Sequence, residues 1–253
     1  MLSNFLQAFS STMTNSFSLN STYPLHLNKK KCLIKSETPE MEIRVCVNRT
    51  CGKQGSRETF EILSAIAPPQ VSVTTSGCLG KCGSGPNLVI LPQVVFVSHC
   101  ATPARTAQVL ATCLGDTDDP SNNLAALALR KRAEEKMEKG EFSEAEDLLS
   151  QAIDLKPSGG LHIIYKIRSS VQLAIGNSFG ALEDAKKALT LAPKYSQGYL
   201  CEGDAFMALE NFVAAENSYS TALDLDPSIR RSKSFRAQIT KLQAKLTAAE
   251  LAS

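Results

Sequence analysis

Three stretches in the second half of the chain share one pattern: AEDLLSQAIDLKP at 145–157, ALEDAKKALTLAP at 181–193 and AENSYSTALDLDP at 215–227. Each stretch has alanine at its first and eighth positions and proline at its thirteenth, and the stretches recur at 36 and then 34 residues. Such periods are typical of arrays of helical hairpins. Small residues let two helices cross closely, and a proline ends the helix that precedes it. The sequence therefore predicts three helix pairs.

This array resembles the tetratricopeptide repeat (TPR) family over residues 122–227, and ALDLDP at 222–227 stands almost as the family consensus has it. The resemblance implies an all-α solenoid of three repeats with a concave surface for protein partners. The last repeat of a solenoid must be covered by a further element. Residues 229–251 are predicted to form a capping helix with one apolar face. The apolar residues of that face are Phe235, Ile239, Leu242 and Leu246.

The opposite face of the capping helix is basic and allows two interpretations. Its residues are Arg230, Arg231, Lys233, Arg236, Lys241 and Lys245. A basic strip is able to touch an anionic surface such as the thylakoid membrane, but it is more often a solvated face. We favour the solvated face, keep a peripheral thylakoid contact as the alternative, and predict no nucleic-acid partner.

The groove of the repeats is the predicted partner-binding site. By repeat register, nine residues of the first helices face inward: Leu127, Arg130, Met137, Ile163, Lys166, Leu173, Leu200, Asp204 and Met207. This mixed lining suits an amphipathic helix or an apolar client segment. The alternative is that some of these residues belong to the core between helices.

One class of TPR ligand is predicted to be absent. Repeats that bind the acidic C-terminal tails of chaperones use a clamp of Lys, Asn, Asn, Lys and Arg, because several fixed donors must converge on a terminal carboxylate. The matching positions here are Arg130, Glu134, Ile167, Gln197 and Cys201. Only Arg130 keeps the required character, so we predict no chaperone-tail carboxylate clamp.

The first half of the chain predicts an α/β domain that carries four spaced cysteines. Its hydropathy pattern gives the order strand, helix, strand, strand, strand, helix, which is a thioredoxin-like arrangement. Cys46 and Cys51 have C-x4-C spacing, and Cys78 and Cys82 have C-x3-C spacing. Both pairs fall in loops that leave strand ends. Two such pairs supply the four thiolates that a 2Fe-2S cluster needs.

The segments CVNRTCGKQGS at 46–56 and GCLGKCGSGPNLVI at 77–90 resemble the thioredoxin-like 2Fe-2S ferredoxin family, over about residues 41–115. The resemblance implies a 2Fe-2S cofactor whose metal ligands are Cys46, Cys51, Cys78 and Cys82. Two alternatives stay open: a structural zinc on the same thiolates, and cysteines that are unligated or disulfide-paired. Zinc sites usually have C-x2-C spacing, which this chain lacks.

The N-terminal 36 residues have the composition of a targeting segment. They contain no Asp, Glu or Arg and are rich in Ser, Thr and Asn, which is typical of a plastid transit peptide. We therefore predict delivery to the chloroplast stroma, with an unstructured polar tail as the alternative. The predicted division is a transit peptide at 1–36, a ferredoxin domain at 41–115, a linker at 116–123 and a TPR domain at 124–253.

Overall composition excludes several classes of protein. Hydrophobic residues make up 43% of the chain and charged residues 21%, with a net charge of +2, which argues against wholesale disorder and against a strongly basic domain. A cluster and a repeat array supply no catalytic groups, so no enzyme is predicted. The leading hypothesis is a plastid iron-sulfur adaptor or assembly factor for a redox or photosynthetic complex. The alternatives are a one-electron carrier docked through its repeats and a structural zinc-bearing TPR scaffold.

Overall fold

A computed structural model describes residues 41–115 and 120–251 of the chain. The predicted transit peptide lies outside these residues. Residues 41–115 contain four strands and three helices. In chain order these are β1 (Met41–Cys46), α1 (Arg49–Lys53), α2 (Ser56–Ile66), β2 (Val71–Ser76), β3 (Leu88–Leu91), β4 (Val95–Val97) and α3 (Pro103–Leu114), with a short 3-10 turn at Cys82–Ser84 before β3.

The four strands form one sheet in the order β2-β1-β3-β4. Strand β1 pairs parallel with β2 and antiparallel with β3, and β3 pairs antiparallel with β4. Alternate residues of β1 point into the core, where Ile43 and Val45 are fully buried. The predicted order of strands and helices is therefore present, with α1 as an addition in the loop that holds Cys51. What the structure establishes is a small α/β sheet domain.

The described residues from 120 to 251 form helices joined by short turns. These helices are α4 (Pro120–Glu138), α5 (Phe142–Asp154), α6 (Leu161–Ala174), α7 (Ser178–Leu191), α8 (Ser196–Ala208), α9 (Phe212–Leu225) and α10 (Lys233–Leu251), with a 3-10 turn at Pro227–Arg231 before α10. Helix α4 begins inside the segment predicted to be a linker. None of the helices in the described residues combines the length and the hydrophobicity needed to cross a lipid bilayer.

The helices pair as the repeats predict: α4 with α5, α6 with α7, and α8 with α9. All six repeat alanines are fully buried where paired helices cross: Ala145, Ala152, Ala181, Ala188, Ala215 and Ala222. Asn177 and Asn211 cap the second helices of the later pairs, each through a side-chain oxygen that accepts the backbone N–H of the third residue of the helix. The prediction of a TPR-type helical solenoid is confirmed.

Helix α10 covers the last repeat as predicted. Phe235 and Leu242 are buried against α9, and Ile239 and Leu246 pack on the same cluster. The ring of Phe235 meets that of Tyr219 edge to face, with centroids 5.7 Å apart. The apolar face of α10 therefore closes the open end of the solenoid.

The two halves of the chain meet in a tight interface, which we call the seam. Leu127 of α4 belongs to the hydrophobic core of the sheet domain. Arg130 Nη1 donates a hydrogen bond of 3.3 Å to the carbonyl oxygen of Ala65, near the end of α2. The loop between α5 and α6 approaches the same place so closely that a Cβ on Gly159 would lie 1.9 Å from the carbonyl oxygen of Ile66. The sheet domain thus covers the first repeat.

His162 and Tyr195 lie next to the seam. Their rings meet edge to face with centroids 5.1 Å apart, and the Nδ1 atom of His162 is buried without a hydrogen-bond partner. Burial, with the charge of Arg130 as a second cause, lowers the pKa of His162 to about 4. His162 is therefore neutral in the folded protein near pH 7.

We expect His162 to make the protein less stable in mild acid. Its pKa is lower in the folded chain than the ordinary value of 6.5. As the pH falls from 6.5 towards 4, His162 therefore becomes protonated in the unfolded chain before it does so in the folded chain, and this favours unfolding. Over that range the wild type should lose roughly 2 kcal/mol more unfolding free energy than His162→Phe, after allowance for partial solvent screening. Urea unfolding of both proteins at a series of pH values measures the difference. Parallel pH profiles would contradict this role.

Candidate functional site

Two places in the structure hold the residues singled out by the sequence: the cysteine loops of the sheet domain and the groove of the repeats. Cys78 and Cys82 lie in the glycine-containing loop between β2 and β3, and both are exposed. Their Sγ atoms are 3.4 Å apart. The backbone N–H of Gly80 donates to Cys78 Sγ at 3.4 Å, and Gly80 has the positive φ of +78° that this turn requires.

The other two predicted ligands are enclosed. Cys46 ends β1, Cys51 lies in α1, and each is about 1% exposed. The side-chain amide of Asn87 donates to Cys51 Sγ at 3.5 Å and to the Lys81 carbonyl at 2.7 Å. A Cβ on Gly85 would lie 2.8 Å from Cys51 Sγ, so the Gly85 backbone packs directly on that sulfur. Protein atoms therefore surround Cys51 on several sides.

The electrostatics of the loop distinguish its two exposed thiols. Hydrogen bonds from Gly80 N–H and from the Cys82 thiol lower the pKa of Cys78. The pKa of Cys82 is raised, first by its hydrogen bond to Cys78 and then by the charge of that neighbour, with smaller effects from Cys51 and Cys46. The four thiols are therefore near one another. In residues 41–115 and 120–251, however, no group of three or more His, Cys, Asp or Glu side chains is placed to hold a metal ion.

The groove residues separate into four groups. Leu127 and Arg130 lie in the seam, where each is more than nine-tenths buried. Four further residues are half-buried and pack on the cores between helices. Met137 and Ile163 pack on the core of the first two repeats, while Leu200 and Met207 pack on that of the last repeat.

Asp204 belongs to a hydrogen-bond network that holds the capping helix. Its Oδ1 accepts from Tyr219 Oη at 2.5 Å and from Gln238 Nε2 at 2.7 Å. Burial raises the pKa of Asp204, and these two hydrogen bonds act in the opposite direction. Sequence analysis missed Tyr219 and Gln238, although the network links α8, α9 and α10. Tyr219 could have been noticed as a hydroxyl-bearing ring at a core position of its helix, which usually needs a buried acceptor.

Lys166 and Leu173 of α6 are the remaining predicted groove residues, and both are half-buried. Helix α6 contacts α8 as well as its own partner α7, so the first helices of adjacent repeats share one face. The charge of Lys166 reaches Asp204 and Cys201 on α8. Within the described residues, no carboxylate oxygen lies within 4 Å of the Lys166 ammonium. Lys166 is therefore a cation of this face whose charge is not neutralised by an ion pair.

The structure shows where the five positions matched to the chaperone-tail clamp lie. Arg130 is held in the seam, with Glu134 3.6 Å from its Nε. Ile167 and Cys201 are buried, and Cys201 Sγ lies 3.6 Å from Ser170 Oγ. Gln197 is half-buried in the first turn of α8. Of these five, Gln197 lies on the same helix as Cys201, one turn nearer its beginning.

Several known proteins are similar to part of the chain. It is 42% identical over 88 residues to the protein STIP1 homolog of Dictyostelium discoideum, which is 35% of this chain and 15% of that protein. It is 35% identical over 105 residues to the Hsp70-Hsp90 organizing protein of Triticum aestivum, which is 42% of this chain and 18% of that protein. The chain therefore matches less than a fifth of the length of either relative. No family model matches.

Among solved structures, the chain is similar to the first TPR of Spaghetti (RPAP3) bound to the HSP90 peptide SRMEEVD. The TM-score is 0.44 at 22% identity, and the match covers 49% of this chain and 94% of that one. The helix pairs described above and the matched relatives together support a TPR domain in this chain.

These findings correct the predicted cofactor and function. The relatives include Hsp70-Hsp90 organizing proteins, which contradicts the predicted iron-sulfur protein and its electron-transfer role. The 2Fe-2S prediction for Cys46, Cys51, Cys78 and Cys82 is also contradicted, because the described residues contain no metal-binding group. The physical reason is visible at Cys51, whose sulfur is packed against Gly85 and Asn87 while Cys78 and Cys82 face outward.

The predicted absence of chaperone-tail binding is contradicted as well. The relatives that match part of the chain include Hsp70-Hsp90 organizing proteins. The prediction rested on the residue types at five positions, matched to one known carboxylate clamp. That comparison is too narrow, because other donors on the same helical face are able to meet a carboxylate.

Proposed function

We propose that this chain is a non-enzymatic co-chaperone adaptor whose TPR domain binds the acidic C-terminal segment of a chaperone. The observation that carries the proposal is the 42% identity over 88 residues to the STIP1 homolog. The similarity to the wheat Hsp70-Hsp90 organizing protein supports it independently. The whole function of those much longer relatives is not transferred, since this chain matches only part of each.

In this proposal the peptide carboxylate pairs with Lys166. Arg130, the clamp-like cation of the first repeat, already donates to the Ala65 carbonyl and is more than nine-tenths buried, so it is poorly placed to meet a ligand. Lys166 has no ion-pair partner in the described part of the chain. Gln197 in the first turn of the neighbouring helix α8 is able to supply a second donor. Leu173, half-buried on α6, offers apolar contact to the rest of the peptide.

Calorimetric titration of the full chain with the peptides SRMEEVD and SGPTIEEVD tests this function. We expect binding of at least one peptide, and we expect Lys166→Ala to weaken it roughly tenfold because a charge-assisted hydrogen bond is lost. Lys53→Ala is the matched control, since it removes the same charge from an exposed site in the sheet domain. It should leave the affinity unchanged.

Two results would count against the proposal. Absence of binding heat from both peptides at low salt would remove the chaperone-tail function itself. Equal binding of a peptide whose C-terminus is amidated would show that the groove does not recognise the carboxylate, and would place Lys166 outside the site. Circular dichroism of each variant checks that the helices remain intact.

Two finer predictions remain proposals. The strand and helix order of residues 41–115 supports a thioredoxin-like connectivity for the sheet domain. Delivery to the chloroplast stroma concerns residues outside those that the structure describes, and it stays a prediction.

A further inference from the structure

The cysteine loop contains two thiols that already touch. Cys78 Sγ and Cys82 Sγ are 3.4 Å apart, and both side chains are exposed. We propose that Cys78 and Cys82 are a modification site, at which an intramolecular disulfide forms reversibly when the chain meets a small-molecule disulfide such as oxidised glutathione. This inference is independent of the proposed function, since it concerns the sheet domain alone.

The loop backbone holds the two thiols on the same side. Ser84 N–H donates to the Lys81 carbonyl at 3.2 Å, which closes the 3-10 turn that begins at Cys82. The side-chain amide of Asn87 donates to the same carbonyl oxygen at 2.7 Å. Gly80 N–H holds Cys78 Sγ over the turn. The two sulfurs are already 3.4 Å apart, so they need to approach by little more than 1 Å to reach the disulfide bond length of about 2.05 Å.

Reagents can reach the loop. A Cβ on Gly77, Gly80 or Gly83 would meet nothing within 4 Å, so the loop borders open space on these sides. The ammonium of Lys81, between the two cysteines in sequence, lies 5.1 Å from the centre of the Phe96 ring. A positive charge at this place attracts anionic oxidants, and glutathione disulfide is anionic at neutral pH.

Disulfides that involve the other described cysteines are disfavoured, because those cysteines are buried. Cys46 and Cys51 are each about 1% exposed, and Cys51 Sγ is covered by Gly85 and Asn87. Cys100 and Cys201 are buried elsewhere in the chain. An external disulfide must touch the sulfur that attacks it, so the exposed pair reacts in preference to the enclosed cysteines.

The reaction balances as a thiol–disulfide exchange. The sulfur of Cys78, having lost its proton, attacks one sulfur of the oxidant, forms a mixed disulfide and releases one molecule of reduced glutathione. The sulfur of Cys82, also deprotonated, then attacks Cys78 Sγ and releases the second molecule. The protein loses two electrons and two protons, and the oxidant gains both. An excess of reduced thiol reverses each step.

Intact-mass spectrometry and peptide mapping of the full chain test the proposal. After incubation with oxidised glutathione and removal of the excess, we expect a mass lower by about 2 Da and a peptide linked through Cys78 and Cys82. Dithiothreitol should restore the original mass. Cys78→Ser and Cys82→Ser should each abolish the link, while the matched control Cys51→Ala should still form it.

Several outcomes would overturn the assignment. They are an unchanged mass, glutathione retained as a stable mixed disulfide in the wild type, and a link from either cysteine to Cys46 or Cys51. Iron or zinc found on these thiols by elemental analysis of protein purified without oxygen would also overturn it, because bound thiolates would not exchange freely. Failure of chaperone-peptide binding leaves this proposal untouched, since the readout is the covalent state of the loop.

Discussion

Gly159→Ala is expected to lower the free energy of unfolding by about 3 kcal/mol, although it adds a single methyl group. The added Cβ would lie 1.9 Å from the carbonyl oxygen of Ile66 and 2.9 Å from its carbonyl carbon. Both are backbone atoms at the end of α2, so no flexible side chain can move aside. The loop between α5 and α6 would have to withdraw from the sheet domain.

We expect Gly159→Ala to weaken the contact between the two halves of the chain as well as to lower the free energy of unfolding. Urea unfolding followed by far-ultraviolet circular dichroism measures the free energy of unfolding, and limited proteolysis of the full chain reports on the seam. Gly77→Ala is the matched control, because a Cβ there meets nothing within 4 Å. Its cost should stay within about 0.5 kcal/mol. Equal costs at Gly159 and Gly77 would show that the seam is loose.

The seam also explains why the sequence predicts the repeats better than their partner-binding site. Buried alanines at fixed intervals report packing within and between neighbouring helices, and all six are fully buried. Leu127 and Arg130 have the register of groove residues, yet they contact a domain that precedes the array. A repeat pattern describes contacts between repeats. It contains no information about which unrelated domain covers the first repeat.

Asp204 and the cysteines show two further limits of sequence reasoning. The repeat register places Asp204 on the inward side of its helix. Its carboxylate instead accepts hydrogen bonds from Tyr219 and Gln238, two residues that lie 15 and 34 positions further along the chain. For the cysteines, the spacing predicts that the loops converge, and Cys78, Cys51 and Cys46 all contribute to the raised pKa of Cys82. The spacing does not predict how Gly85 and Asn87 enclose Cys51. Thiols that lie close together are therefore not necessarily available to coordinate a metal.

The second large effect is expected at the ion pair that joins α6 to α7. Arg168 Nε and Nη2 donate to the two carboxylate oxygens of Asp184 at 2.6 and 2.9 Å, and Arg168 Nη1 donates to Ser150 Oγ at 3.1 Å. The Asp184 side chain is only 2% exposed and that of Arg168 is 17% exposed. The pair thus links both helices of the second repeat to α5 of the first.

Asp184→Ala should cost about 3 to 5 kcal/mol, because it leaves the Arg168 guanidinium largely buried without its partner. The double variant Arg168→Met with Asp184→Leu should lose much less, since neither charge is then buried. Glu183→Ala is the control on the same helix: Glu183 pairs with Lys187 at an exposed site, where a pair contributes about 0.5 kcal/mol or less. Thermal and urea unfolding of the four proteins give the comparison. If Asp184→Ala and Glu183→Ala prove equally mild, the Arg168 pair does not hold the repeats together, and apolar packing around the buried alanines must account for their stability.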